Sequence, residues 1–142
     1  MSNMVLIFSI DELRGGITQK VLKRSGFEAL LLRMILGAKN AIAKHAPGVV
    51  IFDIGSYLSE EVNQIRNLCG TLEHTPVILL GDRSITDRFE GTGIREKLVL
   101  SDPLDPELIV AKVKEVLSLK VKENPSEGDT LEEDLKHFLK LD

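Results

Sequence analysis

The sequence of 142 residues contains no tryptophan, one tyrosine and a single cysteine, Cys69. One cysteine cannot form an internal disulfide, which is typical of proteins from reducing compartments. No apolar run approaches the roughly 20 residues that a transmembrane helix needs, and no basic-then-apolar signal segment begins the sequence. We therefore expect a cytoplasmic protein with no membrane partner, in which Cys69 is a buried structural thiol and not a nucleophile.

Excess positive charge is also lacking, since 18 Lys and Arg stand against 22 Asp and Glu, for a net charge of −4. Nucleic-acid binding depends on basic side chains that neutralise phosphates, so we expect no nucleic-acid partner. The remaining composition is that of a globular protein, with 43% hydrophobic and 28% charged residues. This balance excludes a largely disordered chain and is typical of one folded domain.

Five short apolar runs alternate with stretches of helical periodicity. We predict strands over residues 5–10, 27–33, 49–54, 77–81 and 97–101. The first helix is predicted to bury Leu13, Ile17, Val21 and Leu22. A second helix is predicted over residues 35–45, a short fourth one over residues 84–93, and a last one from Pro106. The third predicted helix has its apolar face at Val62, Ile65, Leu68 and Leu72. This alternation predicts an α/β fold with a parallel sheet covered by helices on both faces.

Two glycines, Gly15 and Gly16, stand inside the first predicted helix. Each costs about 1 kcal/mol relative to alanine in a helix interior, so the pair needs a structural reason. It predicts either a distortion where the helix begins or a close approach of the backbone to a neighbour. A phosphate-binding loop is not indicated, because neither G-x-G-x-x-G nor G-K-[ST] accompanies the pair.

The character of the sequence changes after residue 122. We predict one domain over residues 1–122 and a linker over residues 123–129, which are polar and include Pro125 and Gly128. Residues 130–142 are predicted to form an amphipathic helix or tail that docks on a partner, a second copy or the domain itself. Four apolar residues of this segment share one helical face: Leu131, Leu135, Phe138 and Leu139.

Asp53 is the first candidate functional residue, because it ends the third predicted strand directly after four apolar residues. Open α/β sheets place their ligand chemistry at the carboxyl ends of the strands. An aspartate at such a position can also do no more than cap the following turn. The residues around Asp53 leave both interpretations open.

Three segments of the sequence resemble the receiver domains of bacterial response regulators: residues 47–54 (PGVVIFDI), 76–80 (PVILL) and 102–108 (DPLDPEL). The resemblance extends over residues 4–120 and implies a flavodoxin-like, doubly wound sheet of five parallel strands in the order 2-1-3-4-5. In that family an acid pair after the first strand holds Mg²⁺, and an aspartate ending the third strand accepts a phosphoryl group from a histidine kinase. A threonine or serine ends the fourth strand, and a lysine followed by proline comes after the fifth. The resemblance implies that Asp53 is the phosphoacceptor.

The metal-binding part of the resembled site is altered. In the register of the resemblance, Ser9 and Ile10 occupy the positions of the acid pair, and neither side chain can ligate a hard dication. A register shifted by one residue would place Asp11 in the pocket instead. The remaining ligands for Mg²⁺ are then Asp11, Asp53 and the carbonyl of Gly55, so we expect weak metal binding.

The positions that receive the phosphoryl oxygens are altered as well. Gly81 replaces the hydroxyl residue of the fourth strand, and Asp102 replaces the lysine, which reverses a charge. Phosphoryl transfer depends on cations that neutralise the transferring oxygens, and a phosphoryl group on Asp53 would be repelled by Asp102. Arg83 or Arg95 could supply a replacement cation. By the same resemblance, the peptide bond after Asp102 is expected to be cis.

These features predict an atypical receiver-like domain in two-component or phosphorelay signal transduction, not an enzyme, with impaired phosphorylation at Asp53. We expect it to act through a signalling protein partner, either a histidine kinase or a downstream output protein, with a homodimer as a further possibility. The alternative is a phospho-accepting single-domain response regulator with an unusual pocket. A small enzyme or flavin carrier on the same fold is disfavoured, because residues 10–13 carry acids where a flavin phosphate would need hydrogen-bond donors.

Overall fold

The computed structural model describes residues 3–72, 75–81, 89, 96–99 and 105–122, with the backbone alone for residues 96–99 and 119–122. Its elements in chain order are β1 (Met4–Phe8), α1 (Glu12–Arg24), β2 (Glu28–Leu32), α2 (Ala38–His45), β3 (Val49–Asp53), a 3₁₀ turn (Ile54–Ser56), α3 (Ser59–Cys69), β4 (Val77–Gly81), β5 (Glu96–Val99) and α4 (Pro106–Lys122).

The five strands form one sheet in the order β2-β1-β3-β4-β5. Every neighbouring pair is parallel, and in register Phe8 lies opposite Phe52 while Asp53 lies opposite Leu80. All residues of β3 and β4 are buried, as strands covered by helices on both faces must be. The structure thus confirms the predicted fold and strand order, and it places Asp53 at the carboxyl end of the central strand.

Two hydrophobic layers, one on each face of the sheet, hold the helices. Leu22 of α1 and Ile109 and Val113 of α4 pack against one face. Ile42 of α2 and Ile65 of α3 pack against the other. In this second layer the two strand phenylalanines stack, with ring centroids 5.0 Å apart. The helices following β1 and β5 therefore share one face of the sheet, and those following β2 and β3 share the other.

The buried face of α1 differs from the predicted one, which was wrong in including Leu13. Leu13 is 74% exposed, and the helix buries Gly15, Thr18 and Leu22 instead. A Cβ atom on Gly15 would lie 2.8 Å from Cδ1 of Leu31 and 3.2 Å from Cβ of Ser9. The first of the two glycines therefore permits the predicted close approach, and the helix packs through this face and not through Leu13. Its neighbour has open space at the same position.

The second helix begins three residues later than predicted, at Ala38. Gly37 precedes it with a left-handed backbone (φ 81°), and Ile35 is already buried in the core. Residues 33–37 therefore form a loop between β2 and α2. Ile35 packs into the core from this loop, and the left-handed backbone of Gly37 lies outside the helical range. Cys69, at the end of α3, is buried as predicted, and burial raises the pKa of its thiol to about 12.

Some predictions lie outside the described residues. They are the short helix over residues 84–93, of which only Phe89 is described, and the linker and terminal segment over residues 123–142. The division of the chain after residue 122 therefore stays a prediction. In the part of the chain that the structure describes, no helix is long and apolar enough to cross a membrane.

Two leucine-to-alanine substitutions in α1 test the assignment of its buried face. Leu22→Ala should lower the free energy of unfolding by about 2–5 kcal/mol, because it leaves a cavity at a fully buried position. Leu13→Ala is the matched control in the same helix and should change it by less than about 0.5 kcal/mol. Urea denaturation measures both. Equal losses would show that Leu13 belongs to the core.

Candidate functional site

Asp53 lies at the carboxyl edge of the sheet and is only 2% exposed. The strand before it is fully buried, so the carboxylate is carried to the boundary between the core and the loops that follow β1 and β3. A buried carboxylate requires hydrogen bonds or an opposite charge. Its partners therefore determine what the site can do.

Both carboxylate oxygens of Asp53 are bonded to side chains of this protein. The guanidinium Nη2 of Arg14 lies 2.9 Å from Oδ1, and the hydroxyl of Ser9 donates to Oδ2 at 2.9 Å. The side chain of Arg14 is 32% exposed, so it covers Asp53 from the solvent side. The Nε atom of Arg14 is buried and has no hydrogen-bond partner among the described residues. The salt bridge is therefore a single contact and not a bidentate pair.

The start of α1 places Arg14 over the site. Asp11 is the N-cap residue, and its Oδ1 accepts hydrogen bonds from the backbone N–H of Leu13 and Arg14, both at 3.0 Å. The missing side chain of Gly15 lets this first turn approach the end of β1. Asp11 is exposed, and its carboxylate serves the helix terminus.

Ser56 joins the loops that follow β1 and β3. Its hydroxyl donates to the backbone carbonyl of Asp53 at 2.8 Å and accepts from the backbone N–H of Ile10 at 3.1 Å. The side chain of Ile10 packs at the margin of the hydrophobic core. Ile10 therefore lies beside the site and contributes backbone and apolar contacts to it.

Gly81 ends β4, where the resemblance implies a hydroxyl residue. A Cβ atom at this position would lie 2.9 Å from Cγ1 of Ile54, which is fully buried. Ile54 thus fills the volume that a side chain at position 81 would need. Gly55 lies nearby and is exposed. A Cβ atom on Gly55 would lie 3.9 Å from Cα of Gly81 and 4.0 Å from Oδ1 of Asp53, which are ordinary contact distances.

The electrostatics of the site are dominated by burial. Burial raises the pKa of Asp53 above its ordinary value of 3.8, and the charge of Asp11 adds slightly to this effect. Arg14 and the hydrogen bond from Ser9 act in the opposite direction and lower the pKa of Asp53. Because desolvation outweighs these two partners, the ionised carboxylate depends on Arg14 and Ser9 to remain in the interior.

The described residues do not fit a magnesium ion. A hard dication requires several oxygen ligands, whereas Asp53 already accepts from Arg14 and Ser9, and Asp11 caps α1. Within the described ranges no three residues among His, Cys, Asp and Glu lie close enough together to hold a metal. Among the described residues, the arrangement is a buried carboxylate that is paired with an arginine and a serine of the same chain.

The predicted site residues divide into two groups. Ser9, Ile10, Asp11 and Gly81 lie around the carboxyl end of β3 with Asp53. Asp102 with its predicted cis bond, Arg83 and Arg95 lie outside the described residues.

The cation that contacts Asp53 is Arg14, which the sequence patterns did not identify. Arg14 and Asp53 are 39 positions apart in the sequence. One signal was present: an arginine directly before a glycine that needs a close approach, in the first turn after β1, is well placed to reach the end of β3.

The contact between Gly81 and Ile54 yields a double-mutant prediction. Gly81→Ala should destabilise the protein by about 1–3 kcal/mol through overpacking. Ile54→Ala should lower the free energy of unfolding by about 2–5 kcal/mol. The loss in the double variant should be smaller than the sum of the two single losses by at least about 1 kcal/mol. Chemical denaturation gives all three values. Gly55→Ala is the control and should change stability by less than about 0.5 kcal/mol, and strict additivity would contradict the contact.

A second prediction concerns the pKa of Asp53. Because folded Asp53 holds its proton more tightly than unfolded Asp53, stability falls as the pH rises from 3.8 through the folded pKa. Arg14→Met removes the main influence that lowers this pKa, so the pKa should rise and the loss of stability should extend to higher pH. Carboxyl ¹³C NMR measures the titration. Arg33→Met is the control, and an equal shift there would exclude a specific effect of Arg14.

Comparisons with known proteins give matches among solved structures alone. No family model matches the sequence, and no curated protein sequence matches it. The structure is similar to a CheY-like response regulator receiver domain protein from Methanospirillum hungatei, with a TM-score of 0.73, 17% identity, and coverage of 87% of this chain and 100% of that one.

Two further structures show the same likeness. A putative response regulator from Chloroflexus aurantiacus has a TM-score of 0.69 at 21% identity and covers 83% of this chain and 99% of its own. The beryllofluoride-activated NtrC4 receiver domain dimer has a TM-score of 0.68 at 16% identity, with coverage of 83% and 98%. The chain thus has the fold of a response-regulator receiver domain, as the resemblance of its motifs implied.

Proposed function

We propose that this chain is a receiver-like signalling module that acts through protein–protein contacts without phosphorylation of Asp53. The observation that carries the proposal is the bonding of both carboxylate oxygens within the protein, to Arg14 and to Ser9. It supports an atypical member of two-component or phosphorelay signalling, which we infer to act in the cytoplasm, and gives no support to an enzymatic role.

Phosphoryl transfer to a carboxylate needs an accessible oxygen and cations that neutralise the transferring group. The side chain of Asp53 is 3% exposed, and one of its oxygens is occupied by Arg14. Arg14 provides one positive charge, but that charge already pairs with the carboxylate of Asp53. The described residues also fail to fit Mg²⁺, so a metal would bind weakly and would contribute little to any transfer.

A signalling partner follows from this proposal. A module without its own phosphorylation switch must be read out by contact with a histidine kinase, a downstream output protein or a second copy. The similar NtrC4 receiver domain is described as a dimer, which supports a homodimer as the alternative to a different protein.

Intact-mass measurement after incubation with acetyl phosphate and Mg²⁺ tests the proposal. The wild-type protein should gain no phosphoryl mass over minutes, while a phosphorylatable receiver domain treated in parallel should be labelled. Arg14→Met should also remain unlabelled, because opening one oxygen restores neither the metal ligands nor the missing cation. Labelling of the wild type that disappears in Asp53→Asn would overturn the proposal and establish a phospho-accepting regulator.

A further inference from the structure

Four large apolar side chains are exposed where the chain leaves β1, β2 and β3: one lies in the first turn of α1, and the other three lie in the loops after β2 and β3. Their exposed fractions are 74% for Leu13, 66% for Met34, 84% for Leu36 and 75% for Leu58. Because the strands are parallel, the segments after these three strands meet at the same edge of the sheet. We call these four residues the apolar patch. Single exposed leucines are common, whereas several on adjoining loops indicate an interaction surface.

Two contacts hold these loops together. Nη1 of Arg33 lies 2.7 Å from Oε1 of Glu12, which joins the loop after β2 to the start of α1. The hydroxyl of Tyr57 donates to the carbonyl of Arg33 at 3.0 Å, which joins the same loop to the one after β3. Each of these three anchoring residues is followed directly in the chain by a member of the apolar patch. The apolar side chains therefore project from a connected framework.

The core does not require the apolar patch. α1 packs through Gly15, Thr18 and Leu22, and the loop before α2 is anchored by Ile35. Tyr57 is buried and leaves Leu58 outside. Exposing four such side chains to water has a cost that the described fold does not recover, so their burial against another surface would be favourable.

The charges around the apolar patch indicate the chemistry of that surface. Four acids belong to the beginnings of α1 and α3: Asp11, Glu12, Glu60 and Glu61. Among the basic residues of these loops, Arg33 is matched by Glu12 and Arg14 by Asp53. Among the described residues of the loops and first helical turns after β1, β2 and β3, the other three acids then have Lys39 as their remaining basic neighbour, so the charge of these segments is negative.

This negative surround distinguishes between the occupants. A second copy would bring the same acids against themselves. Residues 130–142 of this chain carry four acids and two lysines, so their charge is also unfavourable. An apolar helix face bordered by basic side chains would satisfy both the apolar side chains and the acids.

We propose that the apolar patch docks an amphipathic helix of a partner protein whose apolar face is flanked by lysine or arginine. The inference rests on the proposed function for the existence of a partner and identifies where and how that partner binds. The patch lies beside Arg14, so a bound helix would cover the neutralised carboxylate without reacting with it.

Binding of a synthetic leucine–lysine peptide of about 14 residues, with its leucines at helical spacing, tests the proposal on the full chain. Calorimetry should show binding, and amide NMR shifts should concentrate on the loops after β1, β2 and β3. The double variant Leu13→Gln, Leu58→Gln should weaken binding about tenfold or more. Leu108→Gln is the matched control, since Leu108 is an exposed leucine of α4, and it should leave affinity within about twofold.

Charge is tested separately. Glu60→Gln should weaken binding severalfold and reduce its salt dependence, whereas Glu28→Gln, at the opposite edge of the sheet, should not. A leucine–glutamate peptide of the same spacing should bind at least about tenfold more weakly than the lysine peptide. Equal binding of the two peptides, or amide shifts elsewhere on the protein, would overturn the proposal.

Two further outcomes would assign the apolar patch to another occupant and so overturn it. Sedimentation of the full chain could reveal a dimer that Leu13→Gln, Leu58→Gln dissociates, which would identify a second copy. Alternatively, Phe138→Gln could shift the patch amides without any peptide, which would identify the chain's own terminal segment. No phosphodonor is present in these measurements. Absence of peptide binding would therefore leave the proposed unphosphorylated role of Asp53 unaffected. Labelling of Asp53 would likewise leave a positive peptide result unaffected.

Discussion

A salt bridge between Arg14 and Asp53 is the interaction on which the carboxyl edge of the sheet depends. The fold carries Asp53 to the end of a strand whose residues are all buried, where an unpaired carboxylate would be strongly destabilising. Arg14 supplies the opposite charge, and Ser9 satisfies the second oxygen. The first turn of α1 must therefore lie close to β1, which Gly15 permits and the cap by Asp11 maintains.

This dependence explains why the site is both receiver-like in position and unlike the resembled site in chemistry. The sheet places an aspartate where that family places its phosphoacceptor. Yet the charge that balances it in the structure belongs to the protein's own helix. Under the proposed function, the carboxylate serves as a structural element and the loops around it serve recognition.

Most of the fold could be predicted from the sequence, because buried parallel strands appear as short apolar runs and the segments between them have helical spacing. The face of α1 could not. Apolar periodicity selected Leu13, whereas the helix packs through Gly15 and Thr18, whose small size allows closer contact than a leucine would. The start of α2 was also misplaced, since the left-handed Gly37 ends the loop only after Ile35 has been buried.

The candidate site was predictable in its positions and not in its interactions. Motif spacing placed Ser9, Asp53 and Gly81 together, but it contains no information about a side chain that reaches across from a helix. Arg14 was missed for this reason.

The contact between Gly81 and Ile54 has a consequence for the order in which substitutions can accumulate. A hydroxyl residue at position 81 is blocked while Ile54 keeps its full size, and a smaller residue at position 54 opens a cavity while position 81 is glycine. Each single step is therefore a loss, and the two together should cost less than the sum of the single losses. This packing therefore disfavours a stepwise change to a pocket with a side chain at the end of β4. The effect is independent of the charge reversal at Asp102.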